Sequence, residues 1–170
     1  MKPQLLFTNL FLSGENAGSI VKTSWDSLGN IPGGKFIFSK IVGRAAPYTS
    51  TIGAVVEELS VGSAIVRLKD RKAVRNHLNC VHAVALANLA EMTGNIAIAY
   101  SMPSNARFIV SGLSMEYLKK ARGTIRAFCT CPIPESNERA EYEVLVELFN
   151  SSNELVTRGT LRTLVGPKRG

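Results

Sequence analysis

Apolar and polar residues follow two different periods along this chain of 170 residues. β-branched residues recur over residues 50–58 and again over residues 63–70, with a turn between the two segments. In the second segment Ala64, Val66 and Leu68 occupy every other position, as in a half-buried strand. Both segments are therefore predicted to be strands.

A helix is predicted at residues 81–99, where apolar side chains recur every 3.6 residues and alanine is frequent. Gly94 lies inside this segment and costs about 1 kcal/mol relative to alanine, which the periodicity outweighs. Because alanine lies on nearly every face, this helix has to be covered on nearly all sides. A sheet wrapped around the helix is one arrangement that does so.

Four further strand-like segments follow Pro103, and we expect them to form an antiparallel meander. Glu143 and Glu147 in the third could pair across the sheet with Arg158 and Arg162 in the fourth, each pair contributing roughly a few tenths of a kcal/mol. The four segments are residues 106–118, 122–132, 140–150 and 155–165.

The first part of the chain is expected to be helical, with a break at the Pro-Gly-Gly of residues 32–34. We assign residues 1–45 to an N-terminal helical extension and residues 46–170 to the main body of the same domain. The length suits one domain with a substantial core. The prediction is therefore an α+β fold, in which an antiparallel sheet wraps around one long central helix.

The net charge of +7 favours anionic partners such as nucleic acid, anionic lipid or a phosphate-bearing ligand like coenzyme A. The basic residues are scattered in small groups, at residues 67–75, 119–122 and 168–169. No zinc-finger, RNP-type or basic-zipper pattern accompanies them, so we expect no dedicated nucleic-acid binding.

The chain has three cysteines, which cannot all pair with one another, and no disulfide framework is expected. The apolar residues 5–12 are interrupted by polar ones and lack a small-residue cleavage site, which argues against a signal peptide. No apolar run approaches the roughly 20 residues of a membrane span. We therefore expect a soluble cytoplasmic protein.

Residues 76–91 carry the most informative pattern, a polar loop that runs into the apolar helix. Spacings of three and four place Asn88, Glu91 and Asn95 on one stripe of that helix. The stripe could face solvent or a polar subunit contact. Alternatively, Glu91 is a carboxylate of raised basicity in a partly desolvated cleft, and the two amides position it, water or a substrate.

The order Asn76, five residues, His82 and then Leu-Ala-Glu at residues 89–91 is similar to the helix start of hotdog-fold acyl-CoA thioesterases of the phenylacetate-pathway and hydroxybenzoyl-CoA types. It resembles more closely an uncharacterised branch of that superfamily, which also reads Val-His-Ala at the helix start and Asn-Leu-Ala-Glu within the helix. The resemblance extends by element order over residues 45–165. It implies the hotdog fold and hydrolysis of an acyl-CoA thioester, without a cofactor.

The same resemblance implies roles for individual residues. Glu91 takes the position of the general base or nucleophile, and the Ala83 N–H at the helix start polarises the thioester carbonyl. Asn76 hydrogen-bonds near that carbonyl, and His82 shapes the loop or contacts the ligand. We expect a homodimer or a dimer of dimers, with Asn76 and His82 of one subunit near Glu91 of the other. Ala83 and the following valine depart from the commoner Gly-Gly.

Other interpretations stay open at this point. The protein could be a non-catalytic hotdog protein that binds acyl-CoA or a lipid-like ligand, or a purely structural domain. His77 precedes Glu91 at a spacing like that of the hotdog dehydratases, but their Gly-His-Phe-Pro-Gly loop is absent. We expect no metal site, because the candidate ligands Cys80, His82, Cys129 and Cys131 lack the usual zinc spacing.

Overall fold

A computed structural model describes residues 17–168. The apolar residues 5–12 and Arg169, considered above, lie outside this range. In the described range no helix is long and apolar enough to span a membrane. The helices are α1 (Ala17–Leu28), α2 (Gly34–Ala45), α3 (Pro47–Ser50) and α4 (Ala83–Ser101), and the strands are β1 (Val55–Ser60), β2 (Ser63–Leu68), β3 (Ala106–Tyr117), β4 (Ile125–Thr130), β5 (Ala140–Phe149) and β6 (Leu155–Pro167).

The six strands form one antiparallel sheet in the order β1-β2-β4-β5-β6-β3. The predicted four-stranded meander is therefore wrong in one connection, because β3 pairs with β6 at an edge of the sheet and not with β4. The chain leaves β3 and crosses the start of α4, where Val81 N–H donates to Ala121 O over 2.8 Å. It then joins β2, and β4, β5 and β6 follow as a three-stranded meander.

Helix α4 lies against the sheet as predicted, and twelve of its 19 residues are buried. It contacts all six strands and helix α1. At Gly94 the helix backbone lies very close to side chains of the sheet. A Cβ at this position would be 3.0 Å from Leu161 Cδ2 and 3.2 Å from Val144 Cγ1, which is tighter than an ordinary contact. An alanine would push the helix away from β5 and β6.

The helical N-terminal extension is confirmed over residues 17–45. Its predicted break falls between α1 and α2, where Gly33 has a φ of 76°, a left-handed conformation that favours glycine. The rings of Trp25 and Phe38 join the two helices edge to face with centroids 5.0 Å apart. The Tyr100 hydroxyl donates to Asp26 Oδ1 over 2.7 Å and thereby fixes α1 to α4.

The first predicted strand begins later than expected, at Val55. Pro47 instead starts the short helix α3, because its fixed φ and missing N–H suit the first helical turn. Gly53 then takes a φ of 63° before the strand. On the outer face of the sheet, the predicted pair of Glu147 and Arg158 is confirmed at 3.2 Å.

Candidate functional site

The loop before α4 is organised around the side chain of Asn76. Its Oδ1 accepts hydrogen bonds from Leu78 N–H at 2.9 Å and from Cys80 N–H at 3.3 Å. Its backbone N–H donates to Cys80 O over 2.9 Å, and Asn79 completes the turn with a φ of 54°. Since the loop uses Oδ1, the Nδ2 amide is the group of Asn76 that can serve a ligand, and it is a hydrogen-bond donor.

His82 is the N-cap of α4. Its Nδ1 accepts a hydrogen bond from Val84 N–H over 3.1 Å, so the ring nitrogen that carries the proton is Nε2. The His82 backbone N–H donates to Val74 O over 2.8 Å. The side chain is exposed to solvent. The structure thus places His82 where it orients the first turn of the helix.

Ala83 is the first residue of α4, and its N–H has no partner among residues 17–168. A free N–H at the start of a helix favours developing negative charge. The Tyr117 hydroxyl donates to Ala83 O over 3.2 Å, and burial raises the pKa of Tyr117. Sequence reasoning missed Tyr117, because nothing in its segment indicates that the end of β3 meets the start of α4.

A cleft of about 310 Å³, which we call the helix-start cleft, is lined by Asn76, Ala83 and Tyr117 but not by His82. Two lysines, Lys119 and Lys120, lie at the rim of this cleft. Lys119 pairs with Glu154 at 2.8 Å, whereas Lys120 has no acidic partner among the described residues. The cleft is lined by Asn76, Cys80, Val81, Ala83, Leu86, Tyr117, Leu118, Lys119, Lys120 and Ala121.

The other large basic group of the sequence is partly neutralised. Arg67 pairs with Glu57 at 2.6 Å, and Arg75 pairs with Asp70 at 2.7 Å. The hydrogen bond from Arg75 holds the pKa of Asp70 below its usual range. The second oxygen of Asp70 accepts from Gly123 N–H over 3.0 Å, which ties the loop before α4 to the chain that follows Lys120.

The stripe of Asn88, Glu91 and Asn95 lies on one side of α4, beside the N-terminal helices. Asn88 is 5% exposed and donates through Nδ2 to Tyr48 O over 3.2 Å. The Oδ1 atoms of Asn88 and Asn95 are buried and have no hydrogen-bond partner among the described residues. Buried amide oxygens without a partner are uncommon and costly, so these two are available to a ligand or to water.

Glu91 is partly buried, and its carboxylate has no ion pair or hydrogen bond within residues 17–168. The partly buried Glu57 on β1 is a contrast. Burial disfavours its ionisation, but hydrogen bonds from Arg126 and Arg67 outweigh that and hold the pKa of Glu57 low. Glu57 is therefore fixed as a structural anion, whereas the carboxylate of Glu91 is unengaged.

Ala83 and Glu91 are separated along the helix. They are eight residues apart, which at 1.5 Å per residue is about 12 Å along the axis. A Glu side chain points back toward the helix N-terminus but does not span this distance. One chain therefore cannot bring the Ala83 N–H and the Glu91 carboxylate to the same carbonyl group.

Apolar side chains beside the helix start are left uncovered. Val84 is 51% exposed and Tyr117 is 50% exposed. Leu113 of β3 is 39% exposed although it lies opposite the fully buried Leu161 and so points toward the helix side of the sheet. β3 is an edge strand, so this uncovered surface lies along a free edge.

The remaining candidate residues of the sequence do not come together. His77 is exposed on the loop. Cys80, Cys129 and Cys131 are buried free thiols, and contact with Cys131 together with burial raises the pKa of Cys129. In the part of the chain that the structure describes, no three His, Cys, Asp or Glu side chains form a group that could hold a metal ion.

An antiparallel sheet of this strand order, wrapped around one long helix, is the hotdog fold that the sequence resemblance implied. The resemblance to the hotdog-fold thioesterase superfamily is thus confirmed at the level of the fold. Within this fold the chain belongs to the family described as a domain of unknown function (DUF4442), whose profile matches residues 34–165. No curated protein matches the chain.

Solved structures share the fold over most of the chain. A structural-genomics target is 28% identical with a TM-score of 0.74, over 89% of this chain and 98% of that chain. A Pseudomonas aeruginosa protein described as a probable thioesterase is 21% identical with a TM-score of 0.68, over 75% and 91% of the two chains. A Haemophilus influenzae thioesterase is 14% identical with a TM-score of 0.64, over 72% and 85%.

Proposed function

We propose that this protein is a thioesterase that hydrolyses an acyl-CoA or a related thioester, with Glu91 as general base or nucleophile. The observation that carries the proposal is the partly buried Glu91, which has no ion pair within residues 17–168 and shares a stripe with two amide oxygens, of Asn88 and Asn95, that have no hydrogen-bond partner in the same range. A structural carboxylate in such a position would have a cationic partner, as Glu57 has. Structural neighbours described as thioesterases add support.

In the general-base route, the Glu91 carboxylate takes a proton from water as the water oxygen attacks the thioester carbonyl carbon. The Ala83 N–H stabilises the oxyanion that forms. The carbon–sulfur bond then breaks, and the thiolate takes the proton back from Glu91 to leave as the free thiol. In the nucleophilic route, the Glu91 carboxylate attacks the carbonyl carbon itself, and the carbon–sulfur bond breaks to release the thiolate and leave a mixed anhydride. Water then hydrolyses the anhydride to the free acid and the Glu91 carboxylate, and the proton that is released goes to the thiolate.

Asn76 would serve the same carbonyl group. Its Nδ2 is a donor that the loop leaves unused, while three contacts from the loop hold its Oδ1 in place. Such positioning lowers the cost of orienting the donor when the substrate binds. His82 would act through the helix start that it caps, and Lys120 at the cleft rim would attract the phosphates of coenzyme A.

The site is proposed to be shared between two subunits. The separation of about 12 Å between Ala83 and Glu91 in one chain supports this arrangement. The uncovered Val84, Leu113 and Tyr117 along the free β3 edge offer an apolar surface for a partner. In a two-fold symmetric dimer, Asn76 and Ala83 of one subunit would meet Glu91 of the other.

Ala83 and Val84 stand where related proteins more often have Gly-Gly. The difference adds two side chains at the helix start but keeps the backbone N–H of Ala83 as a donor. Ala83 keeps its N–H, and the Val84 N–H is already used by the cap on His82. Val84 is half exposed at the seam, so its side chain narrows the path of the thioester. We therefore expect turnover to depend strongly on the shape of the acyl group.

The test is a hydrolysis screen over acyl-CoAs from acetyl to long-chain and aromatic, with release of the thiol as the readout. Turnover of at least one member, well above its spontaneous hydrolysis, is the expected result. A melting experiment with coenzyme A runs in parallel, because a ligand at 100 times its Kd adds about 2.7 kcal/mol. Stabilisation without turnover would instead support a non-catalytic acyl-CoA-binding protein. If coenzyme A does not stabilise the protein and no thioester is hydrolysed, the interpretation that is left is a purely structural domain.

A further inference from the structure

A second cleft lies on the other side of the Glu91 stripe, between α1, α2 and the second half of α4. Its volume is about 290 Å³, and we call it the α1–α2 cleft. Among the described residues, the side chain of Asn95 is the only polar one in its lining. The larger apolar side chains that form its walls are Ile20, Val21, Ile41, Val42, Ile96 and Phe108.

The α1–α2 cleft adjoins the proposed catalytic residue. Asn95 lies four residues after Glu91, so the two side chains are neighbours on one face of the helix, with Cβ atoms about 6 Å apart. The cleft then continues along α4 past Ile96 to Ala99. The substituent of a group that reacts at Glu91 would therefore have to pass Asn95 to enter this cleft.

We propose that the α1–α2 cleft binds the acyl chain of the thioester substrate and selects chains of medium length, about 8 to 12 carbons. This inference rests on the proposed function and adds the substrate class to it. Asn95, whose Oδ1 has no partner in the described part of the chain, would lie at the mouth of the cleft, and the remaining lining would bury only methylene groups.

The volume supports this length. An apolar cavity of about 150 Å³ binds benzene, which has six heavy atoms, so a cleft about twice as large accommodates about twelve. The distance from the proposed reacting position to the end of the cleft agrees. Glu91 and Ala99, the last residue of α4 that lines the cleft, are eight residues apart, or about 12 Å along the helix, which corresponds to about ten bonds of an extended chain at roughly 1.2 Å per bond.

The lining favours an alkyl chain over other occupants. Within residues 17–168 no charged side chain lines the cleft, so these residues offer nothing to pair with a phosphate or a carboxylate. A helix with its side chains is about 10 Å across, which is too wide for a space of this volume. An alkyl chain needs no hydrogen-bond partner, and it leaves the amide of Asn95 to the polar end of the acyl group.

The test compares the rate of hydrolysis over saturated acyl-CoAs of 4 to 16 carbons. Each buried methylene should raise kcat/KM by up to about fourfold until the cleft is full, so the profile should peak at about 8 to 12 carbons. Ala45→Leu adds bulk at a cleft-lining position on the surface and should move the peak two to three carbons shorter. Ile41→Ala enlarges the cleft and should move it longer. Thr23→Leu, exposed on α1 and outside the lining, is the matched control.

A second readout does not depend on turnover. The neutral alcohol decan-1-ol should displace an environment-sensitive fluorescent probe from the wild type at least tenfold better than butan-1-ol does, and Ala45→Leu should lose this difference. If no thioester is hydrolysed but this loss is seen, the cleft proposal stands and the thioesterase proposal falls. If thioesters are hydrolysed with one length profile in all four proteins, the cleft proposal is overturned alone. If Ala45→Leu changes the oligomeric mass of the protein but not the dependence of the rate on acyl chain length, the cleft belongs to a contact between subunits. This result would also overturn the proposal that the cleft binds the acyl chain.

Discussion

The substitution Glu91→Gln tests the centre of the proposed site. It keeps the size and shape of the side chain but removes the oxygen that would accept a proton or attack the carbonyl carbon. General-base catalysis contributes about 10² to 10⁴ in rate. We therefore expect kcat to fall by at least about 100-fold, which is a rise of about 2.7 kcal/mol in the activation barrier.

The structure also sets the expected change in stability. The Glu91 carboxylate has no ion pair or hydrogen bond among the described residues, so its removal strands no partner charge. The free energy of unfolding should then change by about 0.5 kcal/mol or less, or rise slightly because a desolvated charge is gone. For a chain of this size that is a shift in Tm of about 2 °C at most.

The change in kcat and the change in the free energy of unfolding are measured on the same protein preparations, with Glu58→Gln as the matched control. Glu58 is exposed on β1, has no ion pair within the described range, and loses the same charge without touching the proposed site. The rate assay uses the best substrate of the acyl-CoA screen, and melting is followed by circular dichroism. Wild-type turnover in a fully folded Glu91→Gln protein would refute the catalytic role. A loss of about 3 kcal/mol or more in stability would instead reveal a structural ion pair.

Three further predictions follow from the same contacts. Neither Asn76→Ala nor Glu91→Gln should support turnover alone, but a mixture in which subunits of the two variants have exchanged should recover about a quarter of wild-type activity in a thiol-release assay. The reason is that half of the dimers in a random mixture are heterodimers, and each heterodimer has one intact site out of two. No recovery of activity, or a monomer by light scattering, would contradict a shared site. Lys120→Glu should raise KM for the acyl-CoA about tenfold at low salt and less at high salt, whereas Lys69→Glu, outside the helix-start cleft, should leave KM unchanged. Equal KM values for Lys120→Glu and the wild type would show that the charge of Lys120 does not contribute to binding. Asp70→Asn should cost about 2 kcal/mol in urea unfolding at pH 7. Because the pKa of Asp70 is lowered on folding, that stability is present above about pH 4 and is lost as the pH falls through the folded-state pKa, so the gap between the two proteins should narrow on acidification below about pH 4. A gap that stays constant as the pH falls would show that the charge of Asp70 is not responsible.

The sequence by itself determined the features that depend on local periodicity. The helix over residues 83–101 follows from its 3.6-residue repeat, and the alternation along β2 and β4 fixes which side chains face inward. The same geometry placed Asn88, Glu91 and Asn95 on one stripe. The loop-to-helix pattern at residues 76–91 was enough to indicate the hotdog fold, since its residues are adjacent in the chain.

Only the tertiary structure decided which distant segments meet. The period of a strand specifies its buried face but not its partner, so the pairing of β3 with β6 could not be predicted from alternation. That pairing brings Tyr117 to Ala83, 34 residues away in sequence. The α1–α2 cleft likewise exists because three helices leave a gap between them, and no single helix encodes that space. The sequence also could not predict that Glu91 has no ion pair within residues 17–168, because the absence of a partner depends on everything that packs around the residue.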